Sequence, residues 1–264
     1  MTEINAELVR DLRARTGAGM MDCKRALVET GGDLDAAEKL LREKGMADAA
    51  KRADRATTEG VVLTRIENGR GAIVAVACET EPVSKNEEFA AFAERVLDAV
   101  EAEGPQAAER LDGERIELVA KLGENIEIRD AARLEATNGE TLADYVHPPA
   151  RKLGVLVRAQ ASPELARMLA MHIAASPGTA YLTREQVPAE TIEAERAIYE
   201  KLPEVEGKPN EIKAKIVDGM LAKRLFADIV LLDQPWVHDS SLTVGKALAE
   251  HGAEVREFVR QSVA

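Results

Sequence analysis

Between Gly71 and Val100 the spacing of apolar positions switches from that of a strand to that of a helix. Ile73, Val74 and Val76 form a short β-branched run suited to a pleated surface. A sharp turn through Glu79–Val83 follows. Beyond it Phe89, Phe92, Val96, Leu97 and Val100 recur at helical spacing, which predicts an amphipathic helix with one buried face. Ser84 followed by Glu87 has the spacing of a capping box, with hydroxyl and carboxylate each taking an orphan amide. A looser copy runs over Gly154–Ser176. Its strand is Val155–Ala159, Ser162 is the cap, Pro163 takes the first helical position, and Leu165, Met168, Leu169 and Ile173 make the stripe. Two related strand–turn–helix units organise the chain.

Residues 5–45 carry the pattern of three short helices. The first, Ala6–Arg15, offers Leu8, Val9 and Leu12 and ends at Thr16-Gly17-Ala18-Gly19. The second, Met20–Thr30, places Met20, Cys23 and Leu27 on one stripe with Met21, Lys24 and Val28 beside it. Leu34, Ala37, Leu40 and Leu41 pattern the third, which Gly45 is expected to end; residues 46–58 read as a separate linking helix. Val61–Glu67 alternates as a strand and joins the apolar strand Gly71–Cys78 through an Asn68-Gly69 hairpin turn. Gly104-Pro105 breaks the chain, Arg115–Leu122 is helical up to Gly123, and Ile126 and Ile128 begin another strand. Asn138-Gly139 predicts a second turn with a return through Tyr145 and Val146. Across Thr183–Phe226 a Pro203–Pro209 turn separates two helices, with Ile192, Ile198 and Leu202 facing Ile212, Ile216, Met220 and Leu225. A helix capped by Thr243 and a strand near Val255–Val259 finish the chain. Strands and helices mix without regular βαβ spacing, so the expected class is α+β with mostly antiparallel sheets.

Composition narrows the function. A net charge of −12 over 264 residues disfavours a phosphate-binding surface, since nucleic-acid affinity comes mainly from Lys and Arg, and favours a protein partner. Two cysteines, Cys23 and Cys78, make no disulfide framework and fit a reducing compartment. The acidic, polar start is no targeting peptide, and no run reaches the roughly 20 apolar residues of a membrane span, so the expectation is a cytoplasmic protein. No phosphate loop, nucleophile elbow or metal-spaced histidines occur; the expectation is no metal, no cofactor and no catalytic centre. Cys78 reads as a packed apolar thiol. His172, on the apolar stripe, is either a hydrogen-bonded buried imidazole or a partner contact. Met20 and Met21 either fill a core or serve an adaptable interface. Glu81-Pro82 is either a rigid turn or a stiff acidic projection. The residues thus point to a multi-unit interaction protein rather than an enzyme.

Several segments are similar to those of bacterial elongation factor Ts. Arg15–Leu27, RTGAGMMDCKRAL, resembles its N-terminal signature, and Glu79–Phe89, ETEPVSKNEEF, its second, usually written ETDFVAKNxxF. Lys121–Ile126, KLGENI, resembles KIGENI; Met171–Ser176, MHIAAS, resembles MHVAAS. Gly207-Lys208-Pro209 and Gln234-Pro235-Trp236-Val237 fall where that family has GKP and QPFV.

The resemblance implies a guanine-nucleotide exchange factor for elongation factor Tu. It implies a three-helix, ubiquitin-associated-like N-domain with linker over 1–55 and a first core subdomain over 56–139. A second, related core subdomain spans 140–182 and 227–264, and a helical coiled-coil hairpin 183–226. It assigns partner contact to Met20, Met21, Cys23 and Lys24, to Thr80, Glu81, Pro82 and Val83, to Leu122 and Gly123, to His172, and to Val237 and His238. No direct nucleic acid or membrane enters, and the hairpin is where a homodimer of the complex could form. Two departures stand out. The family's Asp-Phe is Glu81-Pro82 here, which removes an aromatic wedge. The C-terminal helical module of longer members is not expected after Ala264. The lost wedge motivates an alternative: a Tu-binding chaperone or regulator with weak exchange.

Overall fold

A computed structural model describes residues 4–263; Met1–Glu3, where the acidic start begins, and Ala264 lie outside the described residues. The fold is α+β. Three helices come first, α1 (Ala6–Thr16), α2 (Met20–Glu29) and α3 (Leu34–Arg52). Asn5 and Asp33 cap the first and third through their side chains, each accepting an amide three residues on. Val9, Leu12, Cys23, Ala26, Leu27 and Ala37 form their small core. The expected stop at Gly45 does not occur. Helix α3 runs through it as one element that also takes in the first part of the predicted linking helix. A Cβ on Gly45 would stand only 3.1 Å from the Ala120 Cβ, so the glycine serves close helix–helix approach rather than termination.

Strands β1 (Glu59–Glu67) and β2 (Arg70–Cys78) form a hairpin whose turn residues, Asn68 and Gly69, both have positive φ, as a two-residue hairpin turn requires. The short helix α4 (Glu81–Ser84), the long helix α5 (Glu87–Glu103), a 3₁₀ segment (Pro105–Leu111), α6 (Asp112–Leu122) and strand β3 (Ile126–Glu135) follow. Strand β3 pairs antiparallel with β2, giving a sheet of order β1-β2-β3. Strands β4 (Thr141–Val146) and β5 (Leu153–Gln160) precede helix α7 (Pro163–Ala175). The turn at Asn138-Gly139 does not return the chain onto β3 as expected. Strand β4 pairs with β5 instead, and so begins a second sheet.

Helices α8 (Ala189–Glu200) and α9 (Asn210–Met220) form the predicted helical pair, and α9 continues as a π-helical stretch, Leu221–Phe226. Ile192, Leu202, Ile216, Met220 and Leu225 pack at the seam as expected, joined by Tyr199, Val205, Val217 and Leu221, whereas Ile198 and Ile212 are exposed. The π stretch shifts the helical phase only beyond Met220, where Leu221 and Leu225 keep to the buried side. Strands β6 (Pro235–Trp236) and β7 (Asp239–Thr243), helix α10 (Val244–Glu250) and strand β8 (Glu254–Ser262) complete the chain. Strand β8 pairs antiparallel with β5, so the second sheet has order β4-β5-β8.

The two three-stranded sheets lie back to back between helical layers. On β2, Ala72, Val74, Val76 and Cys78 face helices α5 and α6, while Ile73, Ala75 and Ala77 face the second sheet. A strand buried on both faces needs a continuous apolar run, which is why Gly71–Cys78 lacks polar alternation. On β5, Leu156 faces the first sheet, and Val155, Val157 and Ala159 face α7, Trp236 and α10. Gly154 allows the sheets to approach: a Cβ there would meet Val62 Cγ1 at 2.5 Å. No helix among the described residues is long and apolar enough to cross a membrane.

Candidate functional site

The predicted capping box does not form. Ser84 sits inside α4 and donates its hydroxyl to the Glu81 carbonyl at 2.8 Å, while Asn86 caps α5 by accepting from the Glu88 and Phe89 amides. Residues 79–86 thus hold an extra helical turn between strand and helix, and Glu81 and Pro82 at its start are exposed. Pro82 occupies the first turn, where its missing N–H costs nothing. The Glu81 carboxylate pairs with Lys85 Nζ at 2.7 Å, and that hydrogen bond holds its pKa below the ordinary range. Val83 is half-buried against the helical side of the first sheet.

Thr80 introduces this turn, and each of its polar groups is engaged. Glu124 accepts its amide at 3.0 Å and its hydroxyl at 2.5 Å. Its carbonyl accepts from the Ser84 amide at 3.1 Å and from the Cys78 thiol at 3.4 Å. Cys78 is buried, and burial first, then the Glu124 carboxylate, push its thiol up to about 12. The residue is a packed thiol and a weak donor, inert as a nucleophile at neutral pH.

Glu124 belongs to the turn Leu122–Asn125, which follows α6. Leu122 packs half-buried against the first core, and Gly123 lies exposed in the left-handed conformation that closes the helix. Lys121 reaches both ways: its Nζ pairs with Glu88 at 2.6 Å, and a Cβ at Gly17 would stand 3.0 Å from its Cε. The turn after α1, the turn after β2 and the turn after α6 therefore share one edge of the molecule. On that edge α2 exposes Met20, Met21 and Lys24, with Met21 65% accessible, so the methionines do not fill the small core. Cys23 does not join them. It is buried in that core, its thiol directed at the Ala18 carbonyl at 3.6 Å.

The second constellation surrounds α7. His172 is 1% exposed. The Val237 amide donates to its Nδ1 at 3.2 Å, which leaves Nε2–H to donate to Gln234 Oε1 at 2.9 Å. Gln234 is itself buried and donates to the Thr179 hydroxyl and the Asp228 carbonyl. Burial lowers the His172 pKa and keeps the ring neutral. Trp236 packs between His172 and His238, with ring centroids at 5.0 and 4.8 Å. Val237 is 55% accessible and His238 is exposed. The imidazole is thus linked to the surface through the Val237 backbone it holds and through Trp236 to His238.

Cys23, Cys78 and His172 lie in separate parts of the structure and assemble no common centre. Among the described residues no group of three or more His, Cys, Asp or Glu is placed to hold a metal. Sequence reasoning missed Glu79, Glu124 and Asn125 as structural partners of the exposed turn. Their letters stand inside the quoted motifs, but acceptance of a remote backbone amide leaves no periodic signal.

Known proteins supply the remaining context. The family model Elongation factor TS matches residues 79–264. Elongation factor Ts of Cronobacter sakazakii is 44% identical over an alignment of 268 residues that covers 100% of this chain and 92% of that protein. Those of Serratia proteamaculans and Escherichia coli match with the same identity and coverage. The matched span begins just after β2, so it holds the helix of the first unit and the whole of the second, and the full-length relatives extend the match through β2 and the N-terminal helices. With its signature turns gathered on one edge and 44% identity along its whole length, this chain belongs to the elongation factor Ts family.

Proposed function

We propose that this chain is a guanine-nucleotide exchange factor that binds elongation factor Tu in its GDP form and promotes GDP release during translation elongation, acting by protein contact. The observation that carries this reading is the convergence of three separate signature turns on one exposed edge. Lys121 lies against Gly17 and pairs with Glu88, and Glu124 holds Thr80.

In this reading Met20, Met21 and Lys24 grip the G domain of Tu, with Cys23 packed beneath them. Thr80, Glu81, Pro82 and Val83 press toward its switch helices and loosen the magnesium and phosphate sites, and Leu122 and Gly123 widen that contact. Val237 and His238 touch a further Tu domain; His172 supports them through the Val237 amide. The ubiquitin-associated-like N-domain (1–55), the core subdomains (56–139; 140–182 with 227–264) and the coiled-coil hairpin (183–226) divide these tasks. Exchange is then reciprocal coupling: a factor that binds nucleotide-free Tu more tightly weakens GDP by the same ratio.

A second reading, a Tu-binding chaperone or regulator, draws on the turn itself. Pro82 is smaller than a phenyl ring, and Lys85 restrains the Glu81 carboxylate. Stopped-flow release of a fluorescent GDP from the cognate Tu separates the two. Acceleration by sub-stoichiometric protein is the expected outcome. Tight binding without acceleration would replace exchange with the holding role.

A further inference from the structure

The four-residue helix α4 has no buried residue and no side-chain cap of its own. An isolated turn of helix does not sustain itself, because nucleation fixes several residues for one hydrogen bond. Something outside it must hold it in place. Two loops 44 residues apart do so symmetrically. Glu124 accepts the Thr80 amide at 3.0 Å, and Glu79 accepts the Asn125 amide at 2.6 Å. Each loop thus supplies a carboxylate to the backbone of the other, and charge-assisted bonds of this kind are the strong class. The buried Asn125 carries the link further: its Nδ2 donates to the Ala53 carbonyl at 3.2 Å and the Arg55 carbonyl at 3.0 Å, just beyond the end of α3. Arg55 closes the circuit with Glu79 at 3.4 Å.

We infer that Glu79 and Glu124 are positioning residues. Their crossed carboxylate–amide clasp locks the Thr80–Val83 turn to the Leu122–Gly123 turn, so that both meet a partner as one rigid block. Asn125 ties that block to the end of the three-helix unit. The clasp acts on the turn's freedom and not on the overall fold, since Thr80 lies at the surface while the core beneath is closed without it. The inference rests on the exchange reading for its functional consequence only; the locking itself is independent of any partner.

The experiment pairs two readouts on the full chain, using Glu124→Ala, Glu124→Gln and Thr80→Val. Amide hydrogen exchange followed by mass spectrometry reports locking without any partner: Glu124→Ala is expected to speed exchange of the bonded amides within 80–85, those of Thr80, Ser84 and Lys85, at least tenfold while α5 stays protected. GDP release from Tu is then measured against factor concentration. Glu124→Ala removes both bonds that Glu124 accepts from Thr80 and is expected to lower the saturating rate at least tenfold, with a smaller change in the half-saturating concentration. Glu124→Gln, which still accepts the Thr80 amide, restores most of that rate. Thr80→Val, which keeps the amide, gives an intermediate loss and serves where Glu124→Ala lowers the melting temperature. Unchanged hydrogen exchange at 80–85 in Glu124→Ala overturns the clasp whatever the kinetics. Faster exchange there with a wild-type saturating rate overturns its positioning role. A wild-type protein that fails to accelerate release refutes the exchange reading alone, and the hydrogen-exchange result still decides the clasp.

Discussion

The two strand–helix units differ in what lies between strand and helix. In the first, β2 runs through Cys78 into an extra helical turn before Asn86 caps α5. In the second, β5 ends at Gln160, and Ser162 caps α7 almost at once by accepting the Leu165 amide. The first unit thereby exposes Glu81 and Pro82 on a short added projection; the second turns tightly, and its exposed Ser162, Pro163 and Glu164 belong to the capped start of α7 itself. Their helices also look to different covers. Phe89, Phe92, Val96 and Val100 of α5 close onto the helical face of the first sheet, while α7 buries His172 beneath a strand turn that presents Val237. A shared scaffold thus yields one projection built from an inserted turn and one surface built from a buried polar prop.

The largest blow to the first unit is removal of its anchor. Phe89→Ala is expected to cost about 3–5 kcal/mol in denaturant unfolding, because the ring is wholly buried and its loss leaves a cavity. A smaller value would mean that α5 repacks, and that the projection sits on softer ground. At the interface between the sheets, Gln261 shares the face of Val259 and Val263 on β8, is 3% exposed, and neither its Oε1 nor its Nε2 has a hydrogen-bond partner. Gln261→Met is therefore expected to stabilise the protein by about 1–2 kcal/mol, as an unsatisfied buried amide is replaced by an apolar chain of similar length. A loss of stability would show that the amide is satisfied in solution.

Capping offers a matched pair. Asn86→Ala and Ser162→Ala should each cost about 1 kcal/mol, since each removes the side-chain acceptor at a helix start. Only the Asn86 change is expected to alter exchange kinetics. Equal kinetic effects from both would erase the functional difference between the units. The second unit carries its own pH signature. Burial lowers the His172 pKa from 6.5, so the folded state resists the proton that the unfolded chain accepts. Its stability contribution is complete above about pH 6.5 and declines as pH falls below that, a slope that His172→Gln should flatten in thermal melts. Smallest in stability is Pro82→Phe, expected within about 0.5 kcal/mol because the site is open. That substitution should preserve or raise the exchange rate, and a loss of rate would mean the turn has adapted to the smaller ring.

Much of this was legible from spacing. The stripes of α5 and α7, the Ser162 cap, the Asn68-Gly69 hairpin and the Gly123 helix end are local signals, fixed by residues within a turn or two. What escaped is non-local. Gly45 reads as a helix stop until Ala120 arrives from another helix to occupy the missing side-chain space. Strand β4 reads as a partner of β3 because nothing in its own residues says that β5 lies closer. Ile198 and Ile212 read as seam residues because spacing marks an apolar position without saying whether a neighbour covers it, and both are exposed. The exposed turn was visible as Glu81-Pro82, whereas the carboxylates that hold it were not. An acceptor for a distant amide obeys geometry alone.

The unbroken helix α3 works as a ruler. At about 1.5 Å of rise per residue, its 19 residues span about 28 Å, from the three-helix bundle down to the chain that Asn125 grips. It has no joint at Gly45 where the bundle could swivel, because Ala120 fills the notch. The face bearing Met20 and Met21 is therefore set at one separation from the Glu81-Pro82 projection; under the proposed exchange reading, recognition would become a two-point measurement. Adding a single residue to this rod would lengthen it by only about 1.5 Å, yet would turn the methionine face through about 100°. Orientation, more than reach, is what the rod's length encodes.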